Sequence, residues 1–136
     1  MKIQEIIDKV TSLNFPQGSY VVFGSCPLAL AGLREAGDID MLVTKELFDN
    51  LRQQGWKELF KNENDIPLTK EDIEVHYKWD FSSYQPTLEH LLATADFIEG
   101  IPFASINEVR KWKKSSGRPG DLEDIKLIDA YSTDAD

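Results

Sequence analysis

Asp38 and Asp40 flank a single isoleucine, and Glu74 stands between Ile73 and Val75. Acids two residues apart on an extended strand point the same way, so Asp38 and Asp40 present two carboxylates on one face. If the strand around Glu74 neighbours theirs, three carboxylates converge. Carboxylates are hard oxygen donors, and such a group suits Mg²⁺ or Mn²⁺. Without a cation, the three charges repel and raise one another's pKa values. Two divalent ions about 4 Å apart would stabilise both the attacking and the leaving oxygen of a phosphoryl displacement. Upstream, Gly24-Ser25 separates an apolar run from a helix-like one. Glycine lets a phosphate approach the backbone, while a hydroxyl and the first amides of a helix donate hydrogen bonds to it. An anion-binding turn followed by an acidic pair is the least equipment for handling a nucleoside triphosphate.

Plainer roles stand beside these. Gly24-Ser25 also reads as an ordinary strand-to-helix turn, and Asp38 and Asp40 as solvated or capping acids in a chain with 24 acids. Asp72 shares the face of Glu74 and could replace it. His76 shares that face too, where a packed core or edge histidine is the simpler role than a ligand. Cys26 is either a thiol activated beside a helix N-terminus or a buried inert one. Arg110, Lys111, Lys113, Lys114 and Arg118 form the one basic run. It serves either as a solvated helix face complementing the dipole or as a phosphate contact. Trp56, Trp79 and Trp112 read as packing residues, since no basic groove accompanies them.

The elements that must position these residues alternate between helix and strand. Ile3, Ile6, Ile7, Val10 and Leu13 recur at helical spacing, so residues 2–14 read as an amphipathic helix, stopped by Pro16 and Gly18. Tyr20 to Phe23 is a β-branched and aromatic run that reads as a buried strand. Pro27 suits the first turn of the next helix. Asp38 to Val43 reads as a second strand. Thr44 is placed to cap a helix over roughly 45–54, which Gly55 closes. Trp56 to Phe60 reads as a short strand, and 61–72 as a polar loop with some strand character near Ile66. Ile73 to Tyr77 alternates with period two. Thr87 is placed to cap a helix over 88–94, and 97–103 reads as a tight turn between short extended pieces. Ser105 and Glu108 have the spacing of a capping box. Gly117 ends that helix, and a last one runs from about Asp121 to Tyr131. The expected fold class is α/β (α+β): a small mixed sheet packed with helices.

The chain resembles the DNA polymerase β-like nucleotidyltransferase superfamily. The resemblance rests on Val22-Phe23-Gly24-Ser25, then twelve residues, then Asp38-Ile39-Asp40-Met41-Leu42-Val43, with Ile73-Glu74-Val75 as the third element. The stretches 98–102 and 113–124 are similar to small bacterial members of the abortive-infection and minimal-antitoxin type. The resemblance spans roughly residues 19–128 and implies a nucleotidyltransferase fold. It also implies that Gly24 and Ser25 hold a triphosphate, with Lys113 and Arg118 at positions that contact phosphate. Asp38 and Asp40 would bind metal, and Glu74 would complete the site or help deprotonate an acceptor hydroxyl. The implied reaction is attack of a small-molecule or protein hydroxyl on the α-phosphate of a nucleoside triphosphate. The alternative is a non-catalytic, antitoxin-like or partner-binding member. Two departures stand out: the third acid is Glu rather than the commoner Asp, and Gly120 occupies a position usually held by Lys.

Composition sets the outer bounds. The 136 residues fit one domain, expected to span 1–136, with hydrophobic and charged fractions of 41% and 29% as in globular proteins. A net charge of −9 disfavours phosphate backbones and anionic membranes as partners. One cysteine excludes an internal disulfide and a Cys-based zinc site. No apolar run approaches the roughly 18 residues of a membrane span, and the first ten residues are unlike a signal peptide. A cytoplasmic protein is expected. With no separate region for an acceptor, a second subunit or a partner protein is expected to complete the cleft.

Overall fold

The computed structural model describes residues 1–79 and 83–134. The helices are α1 (Ile3–Leu13), α2 (Cys26–Leu30), α3 (Lys45–Gln53), α4 (Leu88–Ala93), α5 (Ile106–Ser116) and α6 (Pro119–Asp134). The strands are β1 (Tyr20–Phe23), β2 (Ile39–Val43), β3 (Lys57–Glu58), β4 (Leu68–Lys70), β5 (Ile73–His76), β6 (Asp96–Ile98) and β7 (Ile101–Phe103). The strands make one mixed sheet in the order β3-β4-β5-β2-β1-β7-β6. β1 runs antiparallel to β2, while β2 runs parallel to β5 and β1 parallel to β7. The fold is therefore α+β, with helices packed on a seven-stranded mixed sheet.

Local chemistry explains most boundaries. The Thr44 hydroxyl accepts from the Leu47 amide at 3.1 Å and starts α3, and Thr87 does the same for His90 and α4. Gly117 closes α5 in the left-handed conformation, φ 66°. Glu99 and Gly100 both have positive φ, 51° and 80°. That is the two-residue turn whose twist suits a hairpin, and it joins β6 to β7.

Three expectations shift. The polar stretch 61–72 carries β4, which pairs antiparallel with β5 through Leu68↔Val75, Thr69↔Glu74 and Lys70↔Ile73. One buried apolar residue, Leu68, is too little for a sequence pattern. α6 starts two residues earlier than Asp121, at Pro119, where the missing N–H costs nothing. The capping box is half-formed: Ser105 Oγ accepts from the Glu108 amide at 3.3 Å. The Glu108 carboxylate turns inward instead, taking the Tyr84 hydroxyl at 2.6 Å, His90 Nε2 at 2.8 Å and Lys111 Nζ at 3.1 Å. Burial, with the Glu108 charge beside it, pushes the Tyr84 phenol well up. A buried acceptor left without its donor is costly, so Tyr84→Phe is expected to lower stability by about 1.5 kcal/mol, read as a lower urea midpoint at unchanged slope.

The sheet has two cores, one on each face. Ile39, Met41 and Val43 of β2 join Tyr20, Val22, Ile73 and Val75 against Ile6, Ile7 and Val10 of α1 and Leu47, Phe48 and Leu51 of α3. On the other face, Val21, Phe23 and Leu42 pack with Trp79, Tyr84, Leu91, Val109, Trp112 and Ile128. Phe23 is central there, with ring centroids 4.9 Å from Trp79 and 5.5 Å from Trp112. Strand alternation puts Asp40, Glu74 and His76 on this second face. Its apolar cover ends at Leu42 and Trp79, and the face turns polar beyond them.

Candidate functional site

Strand register brings the carboxylates together. Asp40 lies directly opposite Glu74 across the parallel β2–β5 pair, and opposite Phe23 across β1–β2. His76, two residues past Glu74, follows on the same face. One donor atom from each of Asp40, Glu74 and His76 lies within 4.8 Å of the other two. The group opens into a cavity of about 620 Å³, whose wall includes Asp38, the three cations Lys61, Lys78 and Arg118, and the rings of Trp79 and Trp112.

Gly24 makes the close approach possible. Its φ is +68°, and a Cβ built on it would collide with Asp40 Oδ2. The glycine is required where β1 leaves the sheet, both for its conformation and for room beside the carboxylate.

A turn over residues 61–65 supplies the counter-charges. The Lys61 and Asn62 amides both donate to the Asp65 carbonyl, and the Asp65 amide donates back to the Asn62 carbonyl at 3.1 Å. This closes a tight loop whose two ends face the group. From one end, Lys61 Nζ reaches Glu74 Oε2 at 2.9 Å. From the other, Asp65 Oδ1 lies 3.4 Å from His76 Nδ1. His76 Nε2, on a side chain only 9% exposed, lies 3.6 Å from Glu74 Oε2. It has no hydrogen-bond partner among the described residues.

The two carboxylates sit in different fields. Burial and the neighbouring Glu74 charge push Asp40 up to about 6. The contacts with His76 and Lys61 hold Glu74 well below the usual range. Asp65 and Glu74 in turn raise the His76 imidazole against its burial. A fully anionic Glu74 beside an Asp40 that keeps its proton to higher pH than usual is what like charges in a partly dry site produce. A divalent cation would replace that proton, and two carboxylate oxygens with an imidazole nitrogen are a chemically sound donor set for one.

The other sequence candidates fall around the group or away from it. Asp38 precedes β2, is exposed, and lines the cavity without joining the close group. Ser25 caps α2 with no side-chain bond to an α2 amide, and neither it nor Gly24 lines the cavity. Arg118 lines the cavity while bonding Asp121 Oδ2 at 2.9 Å. Lys113 is enclosed between α5 and α6, its Nζ 3.1 Å from Asp121 Oδ1 and 3.0 Å from Asp124 Oδ2. Asp124 also receives both Arg34 Nε at 2.8 Å and Nη2 at 2.9 Å. Within the basic run, Lys113 is an internal tie, Arg118 faces the cavity, and Arg110, Lys111 and Lys114 lie towards the surface. Asp72 points to α1, where Lys9 Nζ meets it at 2.5 Å. Cys26 is fully buried, and burial followed by the Asp40 charge pushes its thiol up to about 12, so it is inert at neutral pH.

Lys61 and Asp65 are the site residues that sequence reasoning passed over. They sit in a polar stretch with no periodicity, and only β4 pairing with β5 folds that stretch back over the site. His76 carried a signal, its parity with Glu74.

The chain is 29% identical over 136 residues to the DNA mismatch repair protein MSH2 of Saccharomyces cerevisiae. That alignment covers 97% of this chain and spans 13% of the length of that protein. No family model matches the chain, and no solved structure matches it. Among the described residues, no helix is long and apolar enough to cross a membrane.

Proposed function

We propose that the chain is a metal-dependent nucleotidyltransferase of the polymerase β-like fold, moving a nucleoside monophosphate from a triphosphate to a hydroxyl. The observation that carries this reading is the register of β1, β2 and β5. It sets Asp40 opposite Glu74 in the wall of a cavity of about 620 Å³, with Gly24 packed behind Asp40. That volume falls within the range of small-molecule sites.

Asp40 and Glu74 would hold the cation, Mg²⁺ or Mn²⁺, which supplies charge for the oxygens of the displacement. In the transfer, the acceptor oxygen bonds to the α-phosphorus, the bond from that phosphorus to the bridging oxygen breaks, and pyrophosphate leaves. The acceptor proton passes to a carboxylate of the group. Lys61, Lys78 and Arg118 line the cavity and would meet phosphate oxygens there. Asp38 at the rim is within the same cavity for a second cation.

The test is transfer itself. Label carried on the α-phosphate is expected to reach a small-molecule or protein acceptor in the presence of Mn²⁺ or Mg²⁺, and Asp40→Asn is expected to abolish this. Nucleoside triphosphates with Mn²⁺ should also raise the melting temperature. If no triphosphate raises it with either ion, the reading fails.

A second reading is favoured by Ser25 and Lys113. Neither lines the cavity, and Lys113 is consumed in an internal ion pair. That leaves fewer phosphate contacts than transfer calls for, and fits a module that binds a cation or nucleotide, or a protein partner, without turnover. Binding of labelled nucleotide with no transfer to any acceptor selects it.

A further inference from the structure

The third donor in the group is a histidine, and its surroundings are those of a metal ligand rather than of a packed core residue. The His76 side chain is more than nine-tenths buried, with Nε2 aimed at Glu74 and no hydrogen-bond partner for that atom among the described residues. A buried polar nitrogen without a partner is costly and calls for an explanation. The other nitrogen, Nδ1, faces the Asp65 carboxylate at 3.4 Å. A carboxylate there favours the proton on Nδ1, so a cation that displaces any proton from Nε2 would meet a lone pair directed at Asp40 and Glu74. A carboxylate behind an imidazole, with a metal in front, is the usual outer support of a histidine ligand. The same turn places the Lys61 ammonium 2.9 Å from Glu74 Oε2, and on a side chain 41% exposed it is free to swing aside for a divalent cation.

We infer that Asp40, Glu74 and His76 Nε2 form a two-oxygen, one-nitrogen site for a first-row transition divalent cation, selecting Mn²⁺ or Zn²⁺ over Mg²⁺, with Asp65 orienting the imidazole. Mg²⁺ prefers oxygen ligands and gives up water reluctantly, so an imidazole adds little to its binding. Mn²⁺ and Zn²⁺ accept imidazole nitrogen alongside carboxylate. This rests on the cation-site half of the proposed function and is independent of the transfer chemistry.

The measurement uses the full chain without nucleotide. Calorimetric titration is expected to give a dissociation constant for Mn²⁺ at least tenfold below that for Mg²⁺. Electron spin-echo modulation of the bound Mn²⁺ should show coupling to a directly bonded nitrogen. His76→Gln should remove that coupling and weaken Mn²⁺ at least about tenfold while changing Mg²⁺ little. Asp65 is over a third exposed, so Asp65→Asn should fold normally. It is expected to weaken Mn²⁺ by about tenfold, with Mg²⁺ again little changed. Equal affinity for the two ions, or bound Mn²⁺ without nitrogen coupling, overturns the inference even if transfer is observed. Nitrogen-coupled Mn²⁺ with no transfer upholds it and counts against the transferase reading alone.

Discussion

Lys113→Ala is expected to lower the stability of the fold by about 3 kcal/mol, near the lower end of what breaking a buried ion pair costs. The Lys113 side chain is 5% exposed, and its two partners, Asp121 and Asp124, are 4% and 7% exposed. Removing the ammonium leaves two carboxylates facing each other in a dry space between α5 and α6. The loss is held to the lower end because each acid keeps another cation. Asp124 retains the two-pronged Arg34, and Asp121 retains the Arg118 side chain and backbone amide. The check is urea denaturation of both proteins at neutral pH. A loss under about 1 kcal/mol would show that the arginines alone hold these carboxylates. The same ties give the wild type an acid limb. Their bonds to Arg118, Ser116 and Lys113 hold Asp121 at about 2 against its burial, and Asp124 is lowered in the same direction. A depressed carboxyl pKa contributes stability that is present above the unfolded value and lost as pH falls through the folded one. The wild type should therefore lose stability between about pH 4 and pH 2, and Lys113→Ala should show a shallower limb.

Asp40→Asn is expected to do the opposite in metal-free protein, raising stability at pH 7.5 by on the order of 2 kcal/mol, or roughly 5–10 °C in melting temperature. The Asp40 carboxyl is pushed up to about 6 from 3.8, burial being the largest cause and Glu74 the next. A raised acid pKa means that the folded state binds the proton more tightly than the unfolded chain. Stability then falls as pH climbs from about 4 to about 6, and the penalty stays in full above that. Asparagine keeps the shape and drops the charge. The gain should be seen in EDTA at pH 7.5 and should fade by pH 4. The same variant should show no rise in melting temperature with Mn²⁺. A stability cost at the site that disappears on losing function is the trade expected of a binding centre. An Asp40→Asn protein less stable than wild type at every pH would refute this account.

Much of the frame was legible from local chemistry. β1, α3 and α4 follow from a β-branched run and two threonine caps, and the hairpin at Glu99-Gly100 from its spacing. Strand parity put Glu74 and His76 on one face and gave Asp40 a place beside them. What parity could not give is which strands are neighbours, since that is settled by long-range pairing, here β2 with β5. Nor could it show that Asp38 falls one residue before its strand, where it lines the cavity but stands outside the close group. Lys113 looked like a surface cation because sequence alone does not reveal that α6 folds back and brings Asp121 and Asp124 to meet it. Lys61 and Asp65 were hidden for a similar reason. Their role comes from a turn laid over the site by β4, whose three residues bury one side chain.

β2 is the fourth of seven strands, with paired neighbours on both sides along its length. Amide exchange should be slowest there, since opening it means opening the whole sheet. Asp40 and Glu74 thus face each other across one rung of the β2–β5 ladder, and their backbones cannot drift apart to relieve repulsion. The gap between their backbones is set by the strand spacing of about 4.8 Å. Any adjustment of the two carboxylates to each other, or to a cation between them, would therefore have to come from side-chain rotation and not from the backbone.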